Sequence, residues 1–245
     1  MFLKKMAVIF LCASLMGCAS DPKKEESPEQ MYARAQTLFT EGEYTESAKL
    51  FDDIEQQYPY SEWASRAQIM AAYTFYYKND YDEALLALDR FIQLHPGNRN
   101  TPYAYYLKGL CYYEQMSDTG REQQMAANAM DTFQRLVSYF PESIYRADAD
   151  VKIAQIRNHL AAKEMAVGRY YLKRGDYMPA LNRFQNVISQ YGDTEQLAEA
   201  LYRTGVCFTA LGMKRQAQKT AAHLDKEFPG NKWQEKMASL NKRKN

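Results

Sequence analysis

Three histidines are the side chains best suited to acid–base or metal chemistry, and they lie far apart. His95, His159 and His223 are separated by steps of 64 residues, show no HExxH spacing and share no helix face. The adjacent carboxylates Asp52 and Asp53 point to different sides of a predicted helix. The chain also has no glycine-rich phosphate loop and no GxSxG sequence. These residues therefore predict neither a catalytic site nor a metal site.

The four cysteines differ in their surroundings. Cys12 belongs to an apolar run near the start, and Cys18 closes that run. Cys111 and Cys207 lie in apolar helical patterns far apart in sequence, which favours two buried free thiols over a disulfide. No pair has the spacing of a metal site. Cys18 is therefore the cysteine whose neighbours indicate a reaction.

Residues 1–17 are typical of an export signal. Two lysines precede an apolar run at 6–16, which is shorter than the roughly 20 residues of a membrane-spanning helix. Leu15-Met16-Gly17-Cys18 resembles the lipobox of bacterial lipoproteins, although Met16 replaces the usual small residue. That resemblance implies a diacylglycerol on the Cys18 thiol, cleavage before it, an N-acyl chain on the new amine, and no other cofactor. The alternative is an ordinary signal peptide with an incidental cysteine.

Residues 18–27 are polar and aperiodic, which predicts a flexible tether. Buried acyl chains contribute about 0.8 kcal/mol per methylene and would hold the chain on a bilayer. By the lipoprotein resemblance, Ala19 rather than aspartate implies the outer membrane, with the protein on the periplasmic face and touching the membrane through its lipid anchor only. Basic and acidic residues number 31 and 30, so no nucleic-acid surface is predicted.

Five segments repeat one pattern of a small residue, an aromatic or leucine, a polar turn and bulky apolar residues. The units close at residues 59, 96, 141, 192 and 229, in steps of 37, 45, 51 and 37. This resembles the tetratricopeptide repeat, a helical hairpin of about 34 residues. Because each hairpin leaves an apolar face that only the next can cover, we expect an all-α superhelical solenoid. Small residues that let the paired helices approach are Ala35, Ala72, Gly109, Gly168 and Gly205.

Two of the steps are long, and each has an identifiable excess. Residues 117–124 predict an extended turn inside repeat three. Residues 144–173 have continuous helical spacing, which predicts one long helix joining two halves: repeats one to three at 28–143, and repeats four and five at 144–245. Ser27-Pro28 and Thr101-Pro102 each read as an N-cap followed by a first-turn proline.

In tetratricopeptide proteins the first helix of each hairpin lines a groove. Applied here, that register gives an aromatic stripe in the first half of the chain, where thirteen of the 20 tyrosines fall between residues 31 and 115. Tyrosine suits peptide binding because it offers a ring face and a hydroxyl. The alternative is that the rings pack between hairpins. The stripe consists of Tyr32, Phe39, Tyr73, Tyr76, Tyr103, Tyr106 and Tyr113.

Two stretches narrow the resemblance to the BamD lipoproteins of the β-barrel assembly machinery, also called ComL or YfiO. One contains Tyr76-Tyr77-Lys78-Asn79 and Asp89-Arg90-Phe91-Ile92, and the other contains Arg169-Tyr170-Tyr171 and Asn182-Arg183-Phe184. The resemblance covers almost the whole chain. This chain differs from that family in the repeat-three loop, which is shorter than the family's Asp/Arg-rich segment. Only Asp118, Arg121 and Glu122 resemble that segment.

The resemblance implies a non-catalytic scaffold of the complex that assembles outer-membrane barrels. Its N-terminal groove would receive the aromatic-ended C-terminal signals of unfolded barrel proteins. Its C-terminal repeats would dock on the barrel-forming subunit, with Arg183 and Asn182 at the contact, and other lipoproteins of the complex would be further partners. A surface arginine lying over apolar neighbours is the plainer interpretation of Arg183.

The rival function is another periplasmic tetratricopeptide adaptor that coordinates cell-envelope or cell-wall machinery. An adaptor of that kind with a trimerising coiled coil needs heptads before the repeats, and residues 19–30 contain none. A peptide-binding chaperone acting alone is a further alternative, and it would lack a docking surface on repeats four and five.

Overall fold

A computed structural model describes residues 26–117 and 123–242, and the regular secondary structure in these ranges is entirely helical. The predicted all-α solenoid of five hairpins is confirmed. Each hairpin packs against the next along the chain. The helices are α1 (Pro28–Glu41), α2 (Tyr44–Gln57), α3 (Glu62–Tyr77), α4 (Tyr81–Leu94), α5 (Thr101–Glu114), α6 (Gln124–Tyr139), α7 (Arg146–Arg174), α8 (Tyr177–Gln190), α9 (Leu197–Ala210), α10 (Lys214–Glu227) and α11 (Lys232–Lys242).

Small residues and phenylalanines hold the first four hairpins together. A Cβ on Gly109 would lie 2.5 Å from the Phe133 ring, and a Cβ on Gly168 would lie 2.5 Å from the Phe184 ring. Both phenylalanines are fully buried, as are Phe51 and Phe91 in the first two hairpins. At Gly109 and Gly168 the small residue therefore admits a ring from the second helix of the same hairpin.

The helix starts follow the sequence at one predicted cap and depart from it at the other. Ser27 caps α1 in a reciprocal pair with Gln30, with N–O distances of 3.3 and 3.1 Å. The prediction for Thr101 is wrong, because Asn100 occupies the cap position of α5. The Thr101 hydroxyl instead donates to the His95 carbonyl at 2.6 Å and closes the preceding loop.

The long helix predicted at 144–173 is α7, which spans 29 residues. Its first half packs on α5 and α6 through Ala149 and Ile156, and its second half packs on α8 through Ala161 and Met165. The predicted turn inside repeat three lies between α5 and α6. Its residues 118–122, which include Asp118, Arg121 and Glu122, lie outside the described residues. The division of the chain at 143 and 144 stays a prediction.

Helix α11 was not predicted. It covers the open face of the last hairpin, where Met237 is buried and its Cε would lie 2.3 Å from a Cβ on Gly205. The spacing of Trp233, Met237 and Leu240 carried the signal, since these residues share one face of a helix. The repeat pattern ends at Pro229, so the repeat spacing alone does not predict a single helix beyond it.

Neighbouring helices run antiparallel, so turns within hairpins lie at one edge of the solenoid and loops between repeats lie at the other. We call the loops at 58–61, 95–100 and 140–145 the inter-repeat edge. The start of α1 lies at this edge, because the Tyr58 hydroxyl donates to the Glu26 carbonyl at 2.8 Å.

Cys111 and Cys207 are buried free thiols, as predicted. Burial raises the pKa of Cys111 to about 12 and that of Cys207 to about 11. Among the described helices, none is both long enough and apolar enough to cross a membrane.

Candidate functional site

The predicted aromatic stripe lies on α1, α3 and α5, the first helices of hairpins one to three. All seven of its rings are partly buried. Each ring therefore combines a packed side with an accessible side, and its neighbours show what the accessible side can do.

Four of the seven meet at the centre of the first half. Tyr103 and Tyr106 both contact Tyr145, with ring centroids 5.3 and 5.0 Å apart, and the Tyr106 and Tyr145 rings stack at 19°. Tyr73 and Tyr76 are close enough to act electrostatically on the Tyr103 hydroxyl. We call Tyr73, Tyr76, Tyr103, Tyr106 and Tyr145 the tyrosine cluster.

The hydroxyls of Tyr76, Tyr103 and Tyr106 stay protonated at neutral pH. Burial raises the pKa of Tyr76 to about 12. Burial also raises the pKa of Tyr103 and of Tyr106, and for Tyr106 the hydrogen bond to Asp148 raises it further. Within the described ranges, the hydroxyls of Tyr76 and Tyr103 have no hydrogen-bond partner. They can therefore donate to, or accept from, a bound peptide backbone.

The first half of α7 forms the far wall of this site. The Tyr106 hydroxyl donates to Asp148 Oδ2 at 2.8 Å, and the Tyr113 hydroxyl donates to Gln155 Oε1 at 2.9 Å. Both pairs are separated by 42 residues, so this part of α7 runs parallel to α5. Sequence reasoning missed this wall, although positions 145, 148, 152 and 155 lie on one helix face and continue the stripe.

Phe39 and Tyr73 belong to a second group of rings, nearer the hairpin turns. The Phe39 centroid lies 5.4 Å from Tyr44, 5.5 Å from Tyr73 and 5.3 Å from Tyr77. Tyr77 is exposed, so this group has an open side. Tyr73 joins it to the tyrosine cluster, which makes the two groups continuous.

Tyr32 lies apart from both groups. Its ring contacts Phe51 at 5.3 Å and Trp63 at 5.0 Å, which is packing between the first two hairpins. Burial raises the pKa of Tyr32, although the positive charge of Arg66 acts to lower it. The geometry around Tyr32 therefore matches the packing alternative.

The predicted docking residues Asn182 and Arg183 are exposed on α8. The Arg183 guanidinium binds the Glu164 carboxylate of α7 at 3.2 Å. Both docking residues line an open cleft of about 460 Å³, whose other lining residues are Glu164, Tyr171, Pro179 and Asn186. A partner that binds Arg183 must therefore share it with Glu164 or displace Glu164.

Cys18 lies outside the described residues. The nearest described residue of the tether is Glu26, which pairs with Arg34 at 2.6 Å and is held by the Tyr58 hydroxyl. In the described part, no three His, Cys, Asp or Glu side chains are grouped as metal ligands would be.

The matching family model and the curated relatives agree on one family. The model of the family described as YfiO, outer membrane lipoprotein, matches residues 24–224. A curated relative from Caulobacter vibrioides, named outer membrane protein assembly factor BamD, is 38% identical and covers 93% of this chain and 77% of its own length. The factor of the same name from Rickettsia prowazekii is 36% identical and covers 93% and 92%. Among solved structures, the MamA protein aligns at 16% identity over 87% of this chain and 95% of its own, with a TM-score of 0.42.

Proposed function

Because this chain belongs to the YfiO family of outer membrane lipoproteins, we propose that it receives unfolded β-barrel proteins within the machinery that assembles them in the outer membrane. It is a scaffold and not an enzyme, as its membership in a family of assembly factors indicates. Its anchor is the acylated Cys18, which places the described residues at the periplasmic face of the outer membrane.

The observation that carries the proposal is the tyrosine cluster between α3, α5 and α7. It offers ring faces beside hydroxyls that lack protein partners. An unfolded barrel protein presents the complementary chemistry, because its extended C-terminal segment has free backbone groups and a terminal aromatic side chain. Rings bind the aromatic residue and hydroxyls bind the backbone, so both recognition elements lie in one groove.

The two ring groups suit different parts of the peptide. The open side of Tyr77 and its neighbours suits an aromatic side chain, because ring pairs favour centroid separations of about 4.5–7 Å. The hydroxyls of Tyr76 and Tyr103 suit the peptide backbone. Tyr32 and Tyr113 support the groove and do not contact the ligand, since Tyr32 packs between hairpins and the Tyr113 hydroxyl is bound to Gln155.

The last two repeats provide the second surface. Arg183 and Asn182 face the open cleft on α8, and an acidic group on the barrel-forming subunit can compete with Glu164 for the guanidinium. Arg183 is exposed whereas Glu164 is mostly buried, so a partner carboxylate that shares the guanidinium with Glu164 is favoured over one that displaces it and leaves a buried charge unpaired. Other lipoproteins of the complex are the remaining expected partners.

Peptide binding by groove variants tests the proposal. The probe is a fluorescent peptide that ends in phenylalanine with a free carboxyl group, and anisotropy measures its Kd. Tyr73→Ala with Tyr76→Ala is expected to weaken binding at least about tenfold, because two rings near the centre of the site are lost. Phenylalanine at the same two positions keeps the rings but removes the Tyr76 hydroxyl, and is expected to weaken binding less than the alanine pair does.

The matched control is Tyr170→Ala, which removes an exposed ring at the far end of α7. It should leave the Kd unchanged. If the Tyr73 and Tyr76 alanine variant binds as tightly as the unchanged protein while both keep the same circular dichroism, the groove assignment is wrong.

A further inference from the structure

The inter-repeat edge carries exposed apolar side chains in its loops or on the helix residues that lead into them. Tyr60 is 100% exposed, Ile144 is 85% exposed, Leu94 is 60% exposed and Tyr139 is 59% exposed. Each lies at the end of a second helix or in the loop that follows it. None of these side chains belongs to the aromatic stripe or to the docking cleft, so the proposed function leaves them unexplained.

The corresponding positions in the last two repeats are polar. The last residue of the second helix is Gln190 in α8 and Glu227 in α10, whereas it is Leu94 in α4 and Tyr139 in α6, and Gln57 in α2. The position of Ile144 is taken by Glu195 after α8 and by Lys232 at the start of α11, and by Arg99 in the loop after α4. The loops after α8 and α10 thus carry no exposed large apolar residue among the described ones. The apolar edge is a property of the first three repeats and not of the repeat pattern.

The tether enters the fold at this same edge. Glu26 is fixed there twice, by the Tyr58 hydroxyl at 2.8 Å on its carbonyl and by Arg34 at 2.6 Å on its carboxylate. Tyr58 belongs to the same loop as Tyr60. The first described residue is therefore bonded to the loop that carries the most exposed ring.

The remaining length of the tether limits the distance to the anchor. Eight residues separate Cys18 from Glu26, and eight residues reach about 28 Å at full extension. A chain lipidated at Cys18 therefore holds Glu26, and with it the loop at 58–61, within that distance of the bilayer surface, and any shorter path of the tether brings them closer.

We propose that the inter-repeat edge of the first three repeats rests on the bilayer, with Tyr60, Leu94, Tyr139 and Ile144 entering the lipid interface. The inference rests on the proposed function, because it requires the acylated Cys18. It also departs from the expectation from sequence, in which the lipid anchor is the only contact with the membrane.

A bilayer fits this edge better than a protein partner does. The exposed apolar residues are spread over three successive loops and do not form one packed cluster, and a bilayer can contact such separated side chains. Protein interfaces instead concentrate their binding energy in one packed cluster. Tyrosine is also enriched where membranes meet water, because its ring is apolar and its hydroxyl is not.

Charge does not explain why the inter-repeat edge would bind a bilayer. Two acidic and two basic residues lie in or next to these loops: Glu62, Glu142, Arg99 and Arg146. Two of these charges already pair within the chain, Glu62 with Arg66 and Arg146 with Asp150. Contact through this edge is therefore driven by apolar burial and should persist at high salt, where electrostatic attraction to anionic lipids is screened.

Depth-dependent quenching tests the proposal on the full lipidated protein in vesicles of phosphatidylethanolamine and phosphatidylglycerol. A fluorophore is placed at Glu142→Cys, beside Ile144. The matched control carries it at Lys173→Cys, an exposed position at the opposite end of α7. Cys111 and Cys207 are buried and Cys18 is acylated, so labelling is confined to the new thiol. Phospholipids with a nitroxide near the headgroup are the quencher.

Quenching is expected to be several-fold stronger at position 142 than at position 173, in low and in high salt. Tyr60→Ser with Leu94→Ser should reduce quenching at 142 several-fold, whereas Leu86→Ser with Tyr170→Ser, two exposed residues away from this edge, should not. Equally weak quenching at 142 and 173 on vesicle-bound protein overturns the docking edge and leaves the anchor intact. Protein that does not stay on the vesicles overturns the anchor and the docking edge together.

Discussion

Two glycines show how single atoms set the spacing of this solenoid. Gly109 and Gly168 lie directly beneath the rings of Phe133 and Phe184, with no room for a methyl group between helix and ring. Because both rings are fully buried in packed clusters, they cannot move aside without disturbing the next hairpin. The small residue is required for close approach and not for backbone freedom.

Gly168→Ala is expected to lower the free energy of unfolding by about 1–3 kcal/mol, since the new methyl group overpacks the core. Urea unfolding followed by circular dichroism measures this change. Gly97→Ala is the matched control, because its Cβ would meet nothing within 4 Å. A Gly168 variant as stable as the Gly97 variant would mean that the hairpin adjusts its helix separation at no cost.

Individual residues were predictable from sequence where the repeat constrains them. The small positions and the buried phenylalanines follow from spacing alone, because every hairpin solves the same packing problem. The tyrosines were harder, since the same residue type serves packing at Tyr32 and an open groove at Tyr103. The role of a given tyrosine depends on which element packs beside it, and for Tyr103 that element is the loop after α6, which contributes Tyr145.

At the scale of helices, α11 completes the molecule. The last hairpin exposes an apolar face around Leu201 and Leu224, and Met237 of α11 fills it. Repeat arrays need such a closing element, because each unit is otherwise covered by its successor. The outer side of α11 is polar, so it needs no further helix to cover it.

Met237→Ala is expected to lower the free energy of local opening in α9 and α10 by about 2–5 kcal/mol, since it leaves a cavity over Gly205. Amide hydrogen exchange should show faster exchange there and unchanged exchange in α1 to α4. The control Ser239→Ala changes an exposed residue of the same helix. Uniformly faster exchange along the whole chain would contradict nearest-neighbour stability.

The long helix was predicted to within about two residues at each end, but its role was not. Its apolar spacing identified a helix, whereas its polar face supplies Asp148 and Gln155 to the groove wall. Contacts between residues 42 positions apart depend on how α7 lies against α5. No local pattern encodes that arrangement, and the wall of the site could not be derived from sequence.

At the scale of the molecule, the two proposed binding surfaces lie at opposite ends of the solenoid. Peptide recognition is proposed for the first three hairpins and partner docking for the last two. This arrangement predicts that partner binding can be lost while peptide binding is retained. Arg183→Glu is expected to abolish recovery of a large barrel protein with repeated periplasmic domains in a mild-detergent pulldown, because it places like charges beside Glu164 and repels an acidic partner.

The same variant should bind the phenylalanine-ended peptide with unchanged Kd. Lys173→Glu, an exposed charge reversal outside the cleft, is the pulldown control. Recovery of cell-wall synthases by the unchanged protein, with no barrel protein, would replace the assembly function with that of the rival adaptor.

The 29 residues of α7 also bear on how the chain can vary over evolution. The helix gives Asp148 to the tyrosines of α5 and Glu164 to the arginine of α8. A recombinant joined at 143 and 144 would set one parent's helix against the other parent's rings. Exchange between relatives therefore preserves both surfaces only when the stretch from α5 to α8 is inherited as a block, and substitutions on either side of α7 are expected to covary within it.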